Sequence, residues 1–220
     1  MTAYEAKDYP TALGQWLPLA DGDDPRVHYW LGIAYRFGEG IPQDYAKALI
    51  HLKKAGSQTA DGNIYRRALY SLGYMAEEGQ GMKADMEKAE CLYRTSAENG
   101  YANAQYALAL QLRLKPGISS KSLDWIERAA LQGNPLSLFR LGQLALWNPF
   151  KEQSEGYRLL VIAANRGSKD AIKLLDETSN SNDKETINAL QKGRRQAPDW
   201  SPVEESIPKP LVPVPDDCWP

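Results

Sequence analysis

The side chains that could carry chemistry are few and widely spaced: His28 and His51, Cys91 and Cys218, and the adjacent carboxylates Glu77-Glu78. Metal binding or general acid–base catalysis needs several such groups at spacings that turn them toward one point. Each histidine is isolated from plausible companions in sequence, and no H-E-x-x-H, G-x-S-x-G or G-x-x-x-x-G-K-S/T motif occurs. Neighbouring residues on a helix point apart, so Glu77 and Glu78 solvate a surface rather than share a proton. No catalytic, metal or cofactor-binding residue is assigned, and the protein is read as non-enzymatic. The cysteines, one in a predicted helix and one near the end of the sequence, neither demand nor exclude a disulfide; unpaired thiols are the expectation.

A different pattern carries more information. Tyr29, Tyr70, Tyr106 and Phe139 stand two residues before Leu31-Gly32, Leu72-Gly73, Leu108 and Leu141-Gly142. Their rings are expected to stack as a ladder of packing ridges, with hydroxyls available to a partner. Residues near them that differ between copies are the better contact candidates: Arg36, Arg67, Tyr74, Arg113, Gln143 and Trp147. Arginine and aromatic side chains suit anchoring, because they bring area and directed donors at low entropic cost.

These positions belong to a repeated unit. Leu31-Gly32-Ile33-Ala34-Tyr35 leads to Gly38-Glu39-Gly40, to Asp44-Tyr45-Ala46-Lys47-Ala48 and to Ala55-Gly56; Leu72-Gly73-Tyr74 leads likewise to Gly79-Gln80-Gly81 and Asp85 to Ala89. Two looser copies end at Gly133 and Gly167, and self-similarity at this spacing signals stacked helix pairs. Apolar stripes at three- and four-residue intervals, such as Tyr45, Ala48, Leu49 and Leu52, make both members of each pair helical. Asp44 and Asp85 are placed to cap second helices, and the loop glycines can take positive φ. Gly32, Gly73 and Gly142 interrupt helices, which is tolerable where a partner helix must come close.

The composition is that of an ordinary globular protein, with 43% apolar and 25% charged residues. A formal net charge of −2 provides no field that would draw the molecule to nucleic acid or anionic lipid. No apolar run is long enough to span a bilayer, so no membrane insertion is expected. The basic cluster Lys192-Gly193-Arg194-Arg195 is read as solvated. Residues 1–25 form a shortened opening copy, 26–167 the array of about four repeats, 168–193 capping helices, and 194–220 a tail. In that tail, Pro208-Lys209-Pro210-Leu211-Val212-Pro213-Val214-Pro215 should be extended. Trp200, Val212, Val214 and Trp219 are its candidate anchors. The abrupt first helix at Met1-Thr2-Ala3-Tyr4 suggests a removed leader and places the periplasm ahead of the cytoplasm.

The opening Lys7-Asp8-Tyr9-Pro10, the Leu-Gly pairs, the Gly-x-Gly loops and Ile41-Pro42-Gln43-Asp44-Tyr45-Ala46-Lys47-Ala48 resemble the Sel1-like repeat, a relative of the tetratricopeptide repeat. The third and fourth copies lack the Gly-x-Gly loop, with Lys115-Pro116-Gly117 and Trp147-Asn148-Pro149-Phe150 in its place. The resemblance implies an all-α, right-handed superhelical solenoid whose concave groove is lined by the first helices. It further implies a scaffold or adaptor that binds another protein, in a bacterial envelope or secretion system. The alternatives are an immunity protein that neutralises a secreted toxin, and a peptide- or glycan-binding receptor.

Overall fold

Most helices of this protein start where a short polar residue accepts a free backbone amide. Asp44 accepts from the Lys47 amide and Asp85 from the Lys88 amide, both at 3.0 Å, so the same cap opens the second helix of both clear copies. Asp24, Asp61, Asn134, Ser168 and Asp183 do the same elsewhere. The structure, a computed structural model, describes residues 2–113, 119–203 and 211–220. The helices are α1 (Thr2–Glu5), α2 (Tyr9–Trp16), α3 (Pro25–Phe37), α4 (Tyr45–Gly56), α5 (Gly62–Glu78), α6 (Met86–Glu98), α7 (Ala102–Arg113), α8 (Ser119–Leu131), α9 (Pro135–Trp147), α10 (Gln153–Asn165), α11 (Lys169–Ser179) and α12 (Lys184–Gln196). No strand occurs among the described residues.

The molecule divides into two compact units. The first holds residues up to Ala104 together with Ile207–Pro220, and the second runs from Gln105 to Ser206. In the first unit the loop chemistry is copied from repeat to repeat. Gly38 and Gly79 end α3 and α5 in the left-handed region, at φ 72° and 68°. The Asp44 amide then returns to the Tyr35 carbonyl at 2.9 Å, and the Asp85 amide to Ala76 at 2.8 Å. These closures turn each second helix back along its first. Tyr35 thus stacks on His51, and a Cβ on Gly32 would lie 2.6 Å from Leu52 Cγ. At Gly73 the space is taken by the Tyr93 ring, and at Gly142, in the second unit, by Leu160. Close helix approach is therefore what these glycines supply, at sites where a methyl group would not fit.

The middle and last residues of the Gly-x-Gly loop serve the preceding copy. Glu39 accepts hydrogen bonds from Tyr4 and Tyr9, and Gln80, one copy later, accepts from Arg36 Nε at 2.9 Å. A Cβ on Gly40 would meet Tyr9, and one on Gly81 would meet the Tyr45 backbone. The second copy is longer than the first, with the 57–61 loop before it and an α5 of 17 residues against 13 for α3. Leu52, Leu69, Leu72, Met75 and Leu92 form the fully buried centre of this unit.

In the second unit α9 and α10 repeat the pairing, and α12 lies on α10. Gly193 is buried there, with room for a Cβ denied by the Arg158 amide at 2.6 Å. Leu160, Leu175 and Leu190 occupy its core. The Lys115-Pro116-Gly117 loop and Pro208-Lys209-Pro210 lie outside the described residues.

Candidate interaction surface

Two titratable pairs assemble that sequence spacing did not suggest. The antiparallel return of α4 along α3 brings His28 and His51, taken as isolated on sequence grounds, to 3.0 Å between their Nδ1 atoms. His28 is fully buried, and its Nε2 lies 2.8 Å from the Gly22 carbonyl, which can only accept. His28 therefore carries its proton on Nε2 and accepts from His51 Nδ1–H. Burial, reinforced by His28 and then by Lys54 and Lys47, lowers the His51 pKa to about 4. The pair is a structural hydrogen bond between the two helices of one repeat. No group of three or more metal-ligating side chains occurs among the described residues.

The second pair corrects an expectation. Cys91 and Cys218 are not free thiols but a disulfide, with Cα atoms 5.9 Å apart, joining α6 to a turn at Asp216–Cys218. The reason is that the tail docks on the first unit. Asn99, fully buried after α6, donates to the Val212 carbonyl and accepts from the Val212 amide, both at 3.0 Å; Tyr65 also donates to that carbonyl at 2.8 Å. Leu211, Val214 and Trp219 are partly buried against the core of α3 to α6. Trp200 belongs to the second unit, partly buried on its core with the Arg166 guanidinium 4.7 Å from its ring. Asn99 and Tyr65 carried no signal in sequence beyond a helix end and a core tyrosine. Their role depends on a segment 113 residues further along in the case of Asn99.

Five of the residues chosen for partner contact gather in the first unit on α3 and α5. Arg36, only 7% exposed, has its guanidinium carbon 4.4 Å from the Tyr74 ring centroid and 4.7 Å from that of Phe37. Burial lowers its pKa, opposed by surrounding tyrosines, Tyr74 and Tyr70 foremost. Tyr29 is buried against Trp30, with ring centroids 5.1 Å apart; Tyr70 is half-buried against Tyr93 and Tyr101, at 5.6 and 5.4 Å. Burial raises the pKa of both phenols. Tyr29 and Tyr70 do not stack on each other: in place of the expected ladder, each ring packs on aromatic neighbours supplied by its own surroundings. Arg67 is exposed on α5, within electrostatic reach of the Tyr29 hydroxyl.

In the second unit, Tyr106 is half-buried, and burial raises its pKa against the opposing influence of Arg140 and Arg113. Arg113 is exposed at the end of α7, and Gln143 accepts from Arg140 at 3.4 Å. Trp147 ends α9 at 71% exposure, beside Phe150 at 95%. The basic cluster is not a continuous patch. Lys192 pairs with Glu152 at 2.6 Å, Gly193 is buried, and Arg194 donates to Ser179. No described helix is long and apolar enough to cross a membrane.

Comparison with known proteins points one way. The family model described as Sel1 repeat matches residues 25–59, 66–101 and 102–134. A Sel1-like repeat-containing protein of Acanthamoeba polyphaga mimivirus is 33% identical over 97 residues, 44% of this chain and 18% of that protein. The alginate biosynthesis protein AlgK of Pseudomonas syringae pv. tomato is 33% identical over 87 residues, 40% of this chain and 17% of that protein. The sequence thus spans less than a fifth of the length of these curated relatives. Among solved structures, a Sel1 repeat protein from Oxalobacter formigenes superimposes with a TM-score of 0.66 at 20% identity, covering 88% of this chain and 82% of that one. That likeness establishes the repeat fold.

Proposed function

Because the chain belongs to the Sel1-like repeat family, whose members are in general scaffolds for protein–protein contact rather than enzymes, we propose that it binds a partner protein through the first helices of its repeats. The observation that carries this reading is the gathering of Arg36, Arg67, Tyr70 and Tyr74 on α3 and α5, a group of cationic and phenolic donors on the first helices of two successive repeats. Tyr106 and Arg113 on α7, with Gln143 and Trp147 on α9, are the corresponding candidates in the second unit. The Cys91–Cys218 disulfide supports an oxidising compartment, such as the bacterial periplasm, and so an envelope or secretion setting. The similarity to an alginate biosynthesis protein is consistent with that setting.

The test is capture of partners from an envelope extract by the oxidised protein, compared with variants in which exposed arginines are reversed, Arg67→Glu and Arg113→Glu. Both sites are solvent-facing, so folding is preserved, and thermal unfolding checks this. Loss of one partner in either variant is expected. Recovery of every partner by both variants at wild-type yield would remove the first-helix surface as the binding face.

A further inference from the structure

Among the described residues, Arg36 is the only buried residue that carries a permanent charge. A buried cation is costly unless an anion or a full set of acceptors compensates it. Here the described residues supply one acceptor, Gln80 Oε1, to Nε, and the faces of Phe37 and Tyr74. No carboxylate of the described residues lies within ion-pair reach, and the terminal amino groups of Arg36 have no acceptor among those residues. These nitrogens are not among the fully sealed atoms, so the surface can reach them. The guanidinium is held in place, since Nε is fixed by Gln80 and the plane is flanked by rings, while its outer donors find no partner among the described residues.

The surroundings repeat this imbalance. The hydroxyls of Tyr70 and Tyr74 likewise find no hydrogen-bond acceptor among the described residues, although both rings are half-buried. Glu77, on the same face of α5, is already engaged by the Tyr93 hydroxyl at 2.7 Å. Its electrostatic influence reaches Tyr70. A cluster of donors around a fixed cation calls for an anion with two or more acceptor oxygens, and a guanidinium matches a carboxylate in a forked geometry. One guanidinium charge is balanced by one negative charge, so a carboxylate fits better than a dianion such as a phosphate monoester.

We propose that the terminal amino groups of Arg36 and the hydroxyls of Tyr70 and Tyr74 form a receptor for one carboxylate of a partner polypeptide, borne by an Asp or Glu residue or by the partner's own C-terminus. This rests on the protein-binding reading above and names the chemistry that one part of the surface recognises. In the free protein, the rings and Gln80 hold the cation ready for its counter-ion. On binding, the carboxylate completes an ion pair in a partly desolvated setting, where such pairs act more strongly than at an open surface.

The experiment titrates the intact, oxidised protein with three N-acetylated hexapeptides. One carries a single internal Glu and an amidated end, one replaces Glu by Gln and has a free C-terminal carboxylate, and one has Gln and an amidated end. Binding is followed in every variant through the backbone amide signals of α3 and α5, and in the proteins that keep Arg36 also through its Nε–H signal, which the Gln80 hydrogen bond keeps observable by NMR. Saturable shifts with at least one carboxylate peptide and none with the neutral peptide are expected, and the responding arm identifies the source. Affinity should fall about tenfold or more in Arg36→Gln, less in Tyr74→Phe, and weaken as salt rises. Should Arg36→Gln fail to fold, Tyr74→Phe and Tyr70→Phe keep both rings and carry the comparison. No shift with either carboxylate peptide, equal shifts with the neutral one, or unchanged affinity in all the variants would overturn the proposal. Partner capture that depends on Arg67 or Arg113 would then still stand, so the two readings fail separately.

Discussion

A single methyl group distinguishes two kinds of glycine in this protein. Gly32 and Gly14 both sit inside helices, where glycine costs about 1 kcal/mol relative to alanine. A Cβ at Gly32 would lie 2.6 Å from Leu52 Cγ, whereas at Gly14 it would meet nothing within 4 Å. Gly14→Ala should therefore raise stability by roughly 0.5–1 kcal/mol, and Gly32→Ala should lower it by about 1–3 kcal/mol, because overpacking outweighs the gain in propensity. Urea titration of both variants checks the opposite signs. His51 sets a pH dependence. Its folded pKa of about 4 lies below the ordinary value of 6.5, so the unfolded state binds the proton more readily. The stability from this group is present above pH 6.5 and is lost as pH falls toward 4. His51→Gln should flatten the slope of unfolding free energy against pH in that window; an unchanged slope would assign it to other groups.

At the level of elements, the docked tail behaves as an added strand-like segment without a sheet. The Asn99 carboxamide offers a donor and an acceptor to one residue's backbone, as a neighbouring strand would, and Tyr65 fills the second lone pair of the Val212 carbonyl. This recognises backbone, not side chain, while Leu211, Val214 and Trp219 add apolar burial. Asn99→Ala removes both contacts and leaves a buried amide and carbonyl undersatisfied, so it should cost about 1–3 kcal/mol. It should also speed hydrogen exchange at the Val212 amide. Protection of that amide equal to wild type would show that the disulfide alone holds the segment.

For the whole molecule, the disulfide closes a loop 127 residues long in sequence that contains all of the second unit. In the chain-entropy description such a closure restrains the unfolded state by up to about 5 kcal/mol. Limited proteolysis gives a direct reading. A single cut anywhere between Cys91 and Cys218 should leave the full mass under non-reducing conditions and release two fragments on reduction. Fragments that separate without reductant would remove the cross-link. Reduction should also expose Trp219, shifting its emission toward that of solvated indole.

The repeat register, the helix pairs, the Asp44 and Asp85 caps and the need for glycine at Gly32, Gly73 and Gly142 were all legible in sequence. Each rests on interactions within a few turns of backbone, or on one helix meeting the next, and local chemistry repeated at a fixed period specifies such features. The His28–His51 bond, the Cys91–Cys218 pairing and the seat of Val212 on Asn99 were not legible. They depend on how an antiparallel return phases two helices and on where a distant segment comes to rest, and no residue type advertises either. The gathering around Arg36 lies between these cases. Sequence marked Arg36, Tyr70 and Tyr74 as positions where the repeat does not dictate chemistry, but only packing decided that a cation would be buried among phenols with its outer donors turned to the surface.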